Sequence, residues 1–359
     1  MSTPLQTYFP TSSGQLVRYG RSSTTLPGTD RDDLVLEQYE PDEGTAGVPA
    51  GVTLTNYNAA STATVTLAAG TYTRQRIHGR IAWSGTVNLV ECELLGPQTT
   101  GLSGDEGIIN GNNSNTGHLT ATDCTIRPQV ETNGRNGALG KEFSLIRCRI
   151  YGGVDAVGIY TLTAWGTPNA NVDVHGCLLD DLVYVYPDTI TTSHTDGTHN
   201  DCIQIQGGGN ISIRGNSIRA YAHPLAGTGT NPVKPYLLDG GRKWANGAGI
   251  IVQKQSSTYA VSNLVISGNY TRGGLTHLTA KTVSAGTYSY TNNRSYRDVA
   301  IKPAGYPSGD SLTGYWLRLE NRAAANITGI NSAASTRWVD YNDGALLAEP
   351  RSSGIHYDA

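Results

Sequence analysis

The 359-residue chain is predicted to be all-β, wound as one parallel β-helix with three strands per coil and about 8–10 coils. Two observations predict it. A bent-strand motif recurs seven times along the chain, and the composition, with 44 glycines and 15% charged residues, suits short strands joined by many tight turns.

The motif runs apolar, x, apolar, x, x, Cys or Asn, x, apolar. It occupies residues 87–94, 119–126, 143–150, 172–179, 211–218 and 264–271, with a weaker copy at 288–295. Its first half alternates with the period of a strand, so one face is buried, and the two-residue step before Cys or Asn reads as a bend into a second strand. One such unit cannot bury its apolar face alone; stacked copies about 4.8 Å apart share a continuous core. The bend position holds Cys92, Cys124, Cys148 and Cys177, then Asn216, Asn269 and Asn293. Stacked asparagines can hydrogen-bond along the stack, and a small thiol fills the same slot as an apolar group. These cysteines are therefore expected to be buried free thiols, and the odd count of five with no CxxC pair suggests neither a disulfide framework nor a zinc site.

A second strand precedes each motif and closes the coil, at residues 105–109, 137–139, 155–159, 201–205, 249–252 and 298–301. Cys202 belongs to this series and is expected in the core. The regular stack spans residues 41–305. Residues 1–40, with Tyr8, Phe9, Tyr19 and the charged run Asp30 to Asp33, are expected to cap the helix or attach it to a neighbour. Residues 306–359 keep strand alternation but lose the bend motif, which suits a second cap or an oligomerisation segment.

Successive bend positions are separated by 32, 24, 29, 39, 53 and 24 residues. Taking 24 as the bare coil, the fourth and fifth intervals carry insertions, unless the fifth hides a weakly marked coil. Both insertions precede the same type of strand, so they are expected to leave the same edge of neighbouring coils and form one wall, the usual place for binding on a solenoid.

The first insertion contains His194-x-Asp196-x-x-His199-x-Asp201, together with Tyr184 and Tyr186. The second contains Tyr221, Tyr236, Asp239, Arg242, Lys243 and Trp244. Aromatic faces beside charged and amide groups are a sugar-binding palette, because rings cover apolar sugar faces while polar groups take hydroxyls. Asp196 and Asp201, with His194 and His199, are the candidate catalytic set. Two carboxylates can act as acid and base in glycoside hydrolysis. The same residues suit a divalent metal or a calcium ion that neutralises a uronate. A lyase would need Lys234, Arg242, Lys243 or Lys254 as proton acceptor or charge stabiliser. Against all of these stands turn chemistry: Asp196-Gly197 as a turn, with His199 and Asp201 tying down the loop. No cofactor is required, with calcium an option.

The net charge of -3 gives no basic field for nucleic acid, and no apolar run reaches membrane-spanning length. The first residues lack the charged and apolar regions of a signal peptide, so synthesis in a cytoplasm is expected.

The stretch from His194 to Asn216 resembles the central coils of right-handed parallel β-helix proteins of the pectate-lyase-like superfamily. The entry segment at residues 41–57 looks like the one preceding the first coil in β-helix proteins of actinobacteria and their phages, where such chains are commonly minor tail proteins. The resemblance covers roughly residues 40–300. It implies a homotrimeric component of a phage tail, a minor tail protein, fibre or spike on the virion, that meets other tail proteins and binds host cell-surface polysaccharide, with depolymerase activity as an option. A secreted, extracellular polysaccharide lyase or glycoside hydrolase is the alternative, and a purely structural tail protein the third. Polygalacturonase-like hydrolases carry an Asn-x-Asp, Asp-Asp, Gly-His-Gly and Arg-x-Lys set, and this chain shows Asp180-Asp181 without a Gly-His-Gly or Arg-x-Lys, which argues against that subtype.

Overall fold

The computed structural model describes residues 40–227, 247–274, 276–280 and 289–294 in full, and elsewhere the backbone alone of short strands. The chain divides into two compact units, Met1–Val35 and Leu36–Ala359. In the first, Tyr8–Pro10 pairs antiparallel with Leu16–Arg18.

The second unit is a parallel β-helix. Three stacks of parallel strands run through it. Sheet one contains Glu106–Gly111, Arg135–Gly140, Val157–Ile159, Ile203–Ile205, Ala248–Val252 and Thr276–Ala280. Sheet two contains Leu119–Thr122, Phe143–Ile146, Asn169–His175, Gly209–Arg214, Ser262–Ser267 and Tyr288–Thr291. Sheet three contains Glu93–Leu95, Thr125–Arg127, Arg149–Ile150, Leu178–Leu179, Ser217–Ala220, Tyr270–Gly273 and Asn293–Tyr296. The sheets send in-register rows inward, among them Ile109, Ala138, Val157, Ile203, Ile250 and Leu278 from sheet one, and Leu94, Ile126, Ile150, Leu179 and Ile218 from sheet three. All are buried, which is the continuous core that a single coil could not make.

Between sheets two and three the chain turns through one left-handed residue per coil. Glu91, Asp123, Arg147, Gly176, Gly215, Gly268 and Asn292 have φ between +51° and +65°. The following residue points inward. Asn216 and Asn269 each take the next coil's asparagine Oδ1 twice: the Asn216 backbone N–H and Nδ2 donate to Asn269 at 3.0 and 2.9 Å, and those of Asn269 donate to Asn293 at the same distances. Asn216 in turn accepts from the Cys177 N–H at 2.8 Å. Where the slot holds cysteine, the thiol accepts more weakly, as from Cys148 N–H to Cys177 Sγ at 3.3 Å. All five cysteines are buried and free, and burial pushes the Cys124, Cys177 and Cys202 thiols up, keeping them protonated and inert.

Three features differ from the reading of the sequence. The bare coil has 17 residues, not 24, because the chain already bends at Arg74, with φ of +54°, and Gln75 stacks on Cys92. Gln75 breaks the motif, which hid this coil. The long fifth interval hides no coil, since Ser217–Ala220 pairs directly with Tyr270–Gly273. Strands after residue 305 go on pairing in parallel: Leu317–Glu320 with sheet one, Ile327–Thr328 with sheet two and Thr336–Val339 with sheet three.

Residues 40–48 run along the stack across sheet three. Glu40 pairs with Arg272 at 2.5 Å and accepts from Ser217 Oγ at 2.9 Å, Glu43 meets Arg219 at 3.0 Å, and the Gly47 N–H donates to Arg147 O at 2.8 Å. One segment thus ties several coils together.

Candidate functional site

The two insertions share one small four-stranded sheet. Leu182–Tyr184 pairs in parallel with Ala222–Pro224, which pairs antiparallel with Lys243–Ala245, and that strand with Tyr236–Leu238. Neighbouring swollen coils therefore do build one structure on one edge.

Its inner strand is core. Leu182, Val183 and Tyr184 are fully buried. Tyr184 and Tyr221, expected to be exposed sugar-binding rings, both face inward: the Tyr184 hydroxyl donates to Asp196 O at 2.6 Å, and Tyr221 packs where only Gly273 leaves room. The reason is that the insertion extends the solenoid's core sideways, and a buried tyrosine keeps its hydroxyl satisfied on a backbone carbonyl. Tyr186 is half-buried against the same core. Asp239, Arg242 and Lys234 lie outside the described residues, and for Tyr236, Lys243 and Trp244 only the backbone is described.

The loop from residue 185 to 200 folds on its own side chains. Val185 N–H donates to Thr198 Oγ1 at 2.9 Å, and Asn200 Nδ2 donates to Val154 O and Val183 O. Gly197, at φ of +93°, sits so close to the Tyr184 ring that a Cβ there would lie 2.4 Å from its oxygen, so no other residue fits.

This loop presents two carboxylate–imidazole pairs. His194 Nδ1 lies 3.0 Å from Asp188 Oδ2, and His199 Nε2 lies 3.2 Å from Asp196 Oδ1. The two imidazoles stack, centroids 3.9 Å apart and planes 13° from parallel. Burial would raise the Asp188 pKa, but hydrogen bonds from Asn133, Thr191, Ile190 and His194 outweigh it and hold the carboxyl below its ordinary range. Asp105, near Asp188, is exposed at the surface, yet partial desolvation and then the Asp188 charge push its pKa up.

Asp201, the second expected carboxylate, is not at this surface. It belongs to a ladder inside the coil: Asp155 N–H donates to Asn136 Oδ1 at 3.0 Å, Asp201 N–H to Asp155 Oδ1 at 2.9 Å, and Ala248 N–H to Asp201 Oδ1 at 2.6 Å. Both aspartates are buried, and desolvation followed by the Asp201 charge drives the Asp155 pKa well up. The structure thus brings together His194, Asp196 and His199 and turns Asp201 away. It adds Asp188 and Asp105, which the sequence reading did not single out as site residues. Asp188 carried a readable signal, an aspartate whose oxygen takes the N–H groups two and three residues on.

Beyond the end of the sheet-one strand Val157–Ile159, Tyr160 packs on Trp165 with ring centroids 5.5 Å apart, and Lys141 Nζ lies 5.6 Å over the Trp165 ring. Desolvation, then the Asp105 charge, raises the Tyr160 pKa. Among the described residues no three of His, Cys, Asp and Glu converge as a metal-binding set. Among the described residues no helix is long and apolar enough to cross a membrane. Comparison with protein families, curated proteins and solved structures finds no match for this chain.

Proposed function

We propose that the chain binds polysaccharide beside sheet one, between the loop cluster of Asp105, Asp188, His194, Asp196 and His199 and the Tyr160–Trp165 pair. The observation that carries this is the pair of stacked imidazoles with their carboxylate partners Asp188 and Asp196, groups that take hydroxyls, and the Tyr160–Trp165 ring pair able to cover a sugar face supports it. With the phage-like entry segment at residues 41–57, this supports a tail fibre or spike component, assembled as a homotrimer among other tail proteins, that meets host cell-surface polysaccharide. The test is retention of the purified chain on immobilised cell-wall polysaccharide from actinobacterial cells. Trp165→Ala is expected to weaken retention about tenfold, ~1.4 kcal/mol; unchanged retention would contradict the reading.

One observation favours cleavage as well. Desolvation and the Asp188 charge push the Asp105 carboxyl up while hydrogen bonds hold Asp188 down, the pattern wanted of an acid and a base, which makes glycoside hydrolysis the second reading. Asp105→Asn would then abolish release of reducing ends while leaving retention intact. Release that persists in this variant removes Asp105 from the role of acid.

A further inference from the structure

A second opening lies on the sheet-three side, lined by none of the residues of the cluster just described. It is an open recess of about 480 Å³, within the range of about 300–1,000 Å³ usual for small-ligand sites. Val130, Tyr151 and Leu225 give it apolar walls, and Arg127, Gln129 and Glu131 are its polar groups. Val130 and Tyr57 are the large apolar side chains exposed on the described surface, and Val130 sits in this recess. Tyr151 is braced from one side by Arg149, whose guanidinium carbon lies 4.7 Å from the ring centroid, so the ring is a fixed platform.

The charges here balance as a set: Arg127 donates through Nε and Nη2 to Glu93 at 3.1 and 2.9 Å, Arg76 shares that carboxylate at 2.6 Å, and the imidazolium of His223 offsets the remaining negative charge of Glu131 and Asp181. Glu131 receives His223 Nε2 at 3.0 Å, and the other nitrogen of that ring, Nδ1, lies 2.9 Å from Asp181. Gln129 Nε2 is spent on Gly96 O at 2.6 Å and Ala60 O at 3.1 Å. What the recess offers is an anchored aromatic face, an exposed valine and the remaining lone pairs and N–H groups of residues whose charge is balanced. Such a surface suits a ring with an apolar face and neutral hydroxyls, and gives an anionic sugar no surplus cation.

We infer that the recess formed by Val130, Tyr151 and Leu225 is a second saccharide subsite that takes one uncharged pyranose ring stacked on Tyr151. The inference rests on the reading of the chain as a polysaccharide binder and narrows its ligand to one containing neutral sugars at this position. It also explains why the second insertion returns beside sheet three: Leu225, just after the strand Ala222–Pro224, closes the recess, and its N–H is held by Tyr184 O at 2.9 Å.

The test is saturation-transfer NMR on the full chain with the methyl glycosides of glucose, galactose, mannose and N-acetylglucosamine, and with sodium glucuronate. At least one neutral glycoside is expected to take up saturation, glucuronate none at the same site. In a Trp165→Ala background, which removes the ring of the site beside sheet one, adding Tyr151→Ala or Val130→Asp is expected to reduce the remaining transfer at least tenfold, while adding Tyr151→Phe, which keeps the ring, retains it. Transfer to glucuronate alone, or transfer indifferent to Tyr151→Ala, overturns the inference. If Tyr151→Ala and Val130→Asp by themselves also retain polysaccharide as before while Trp165→Ala does not, the subsite fails and the proposed function stands. If no glycoside and no polysaccharide binds, both fail.

Discussion

At the scale of single residues, the two inner ladders differ in cost. Each asparagine of the bend ladder is buried and satisfies backbone groups in two coils. Asn269→Ala strands the Asn216 N–H as well as the groups that Asn269 itself pairs, at about 1–3 kcal/mol for each orphan. Cys148→Ala gives up a weak thiol donor to the Ala121 carbonyl and a sulfur-sized volume, about 1 kcal/mol. Denaturant unfolding is expected to rank them in that order. The aspartate ladder behaves in the opposite sense. Because the folded pKa of Asp155 is raised above its unfolded value, the unfolded chain ionises first, and stability is lost as pH rises from about 4 toward the folded pKa. Asp155→Asn keeps the acceptor, as Asn136 does one coil earlier, and is expected to raise the melting temperature at pH 7 but not at pH 3. Equal shifts at both pH values would contradict a buried carboxyl. The bend ladder could be read in the sequence because one residue per coil must fill the slot. The aspartates could not be sorted that way. Asp105, Asp155 and Asp201 look equivalent ahead of their strands, but pairing of Ile109 with Ala138, and of Ala138 with Val157, sets Asp105 two residues farther out. Register put one at the surface and two inside.

At the scale of elements, the insertions are held by His223. Hydrogen bonding to Asp181 and then Glu131 outweighs desolvation and raises its pKa to about 9, so the imidazolium bridges two carboxylates at neutral pH. A raised folded pKa means that the bridge contributes fully below about 6.5 and is lost as pH rises through about 9. Limited proteolysis within residues 222–246 is expected to accelerate between pH 8 and 10 in the wild-type chain, and His223→Gln to be cut at the faster rate already at pH 7. A pH-independent rate in the wild type would contradict this. The swollen intervals announced that these loops share an edge. They did not announce that Leu182–Tyr184 is core, because an apolar strand with tyrosines reads the same whether it covers a sugar or a neighbouring coil.

At the scale of the whole molecule, the coil repeat was legible wherever the bend residue was Cys or Asn and lost where Gln75 replaced it. The regular coils are scaffold, with aliphatic rows inside and the segment at residues 40–48 strapped across sheet three. The candidate site lies at the edge where intervals lengthen, and there the pairing of distant loops, Asp188 with Asn133 and His223 with Glu131, had no trace in local pattern. Hydrogen exchange on the full chain, residue by residue, with and without cell-wall polysaccharide from actinobacterial cells, tests both halves at once. The account expects the slowest amides at the inner ladders, Cys177, Asn216, Asn269 and Asp201, unchanged by polysaccharide, with added protection confined to residues 188–200, the turn around Trp165 and the recess at Val130 and Tyr151. Protection that appears instead on the regular strands of sheet two, or no protection at the insertion edge, would contradict it.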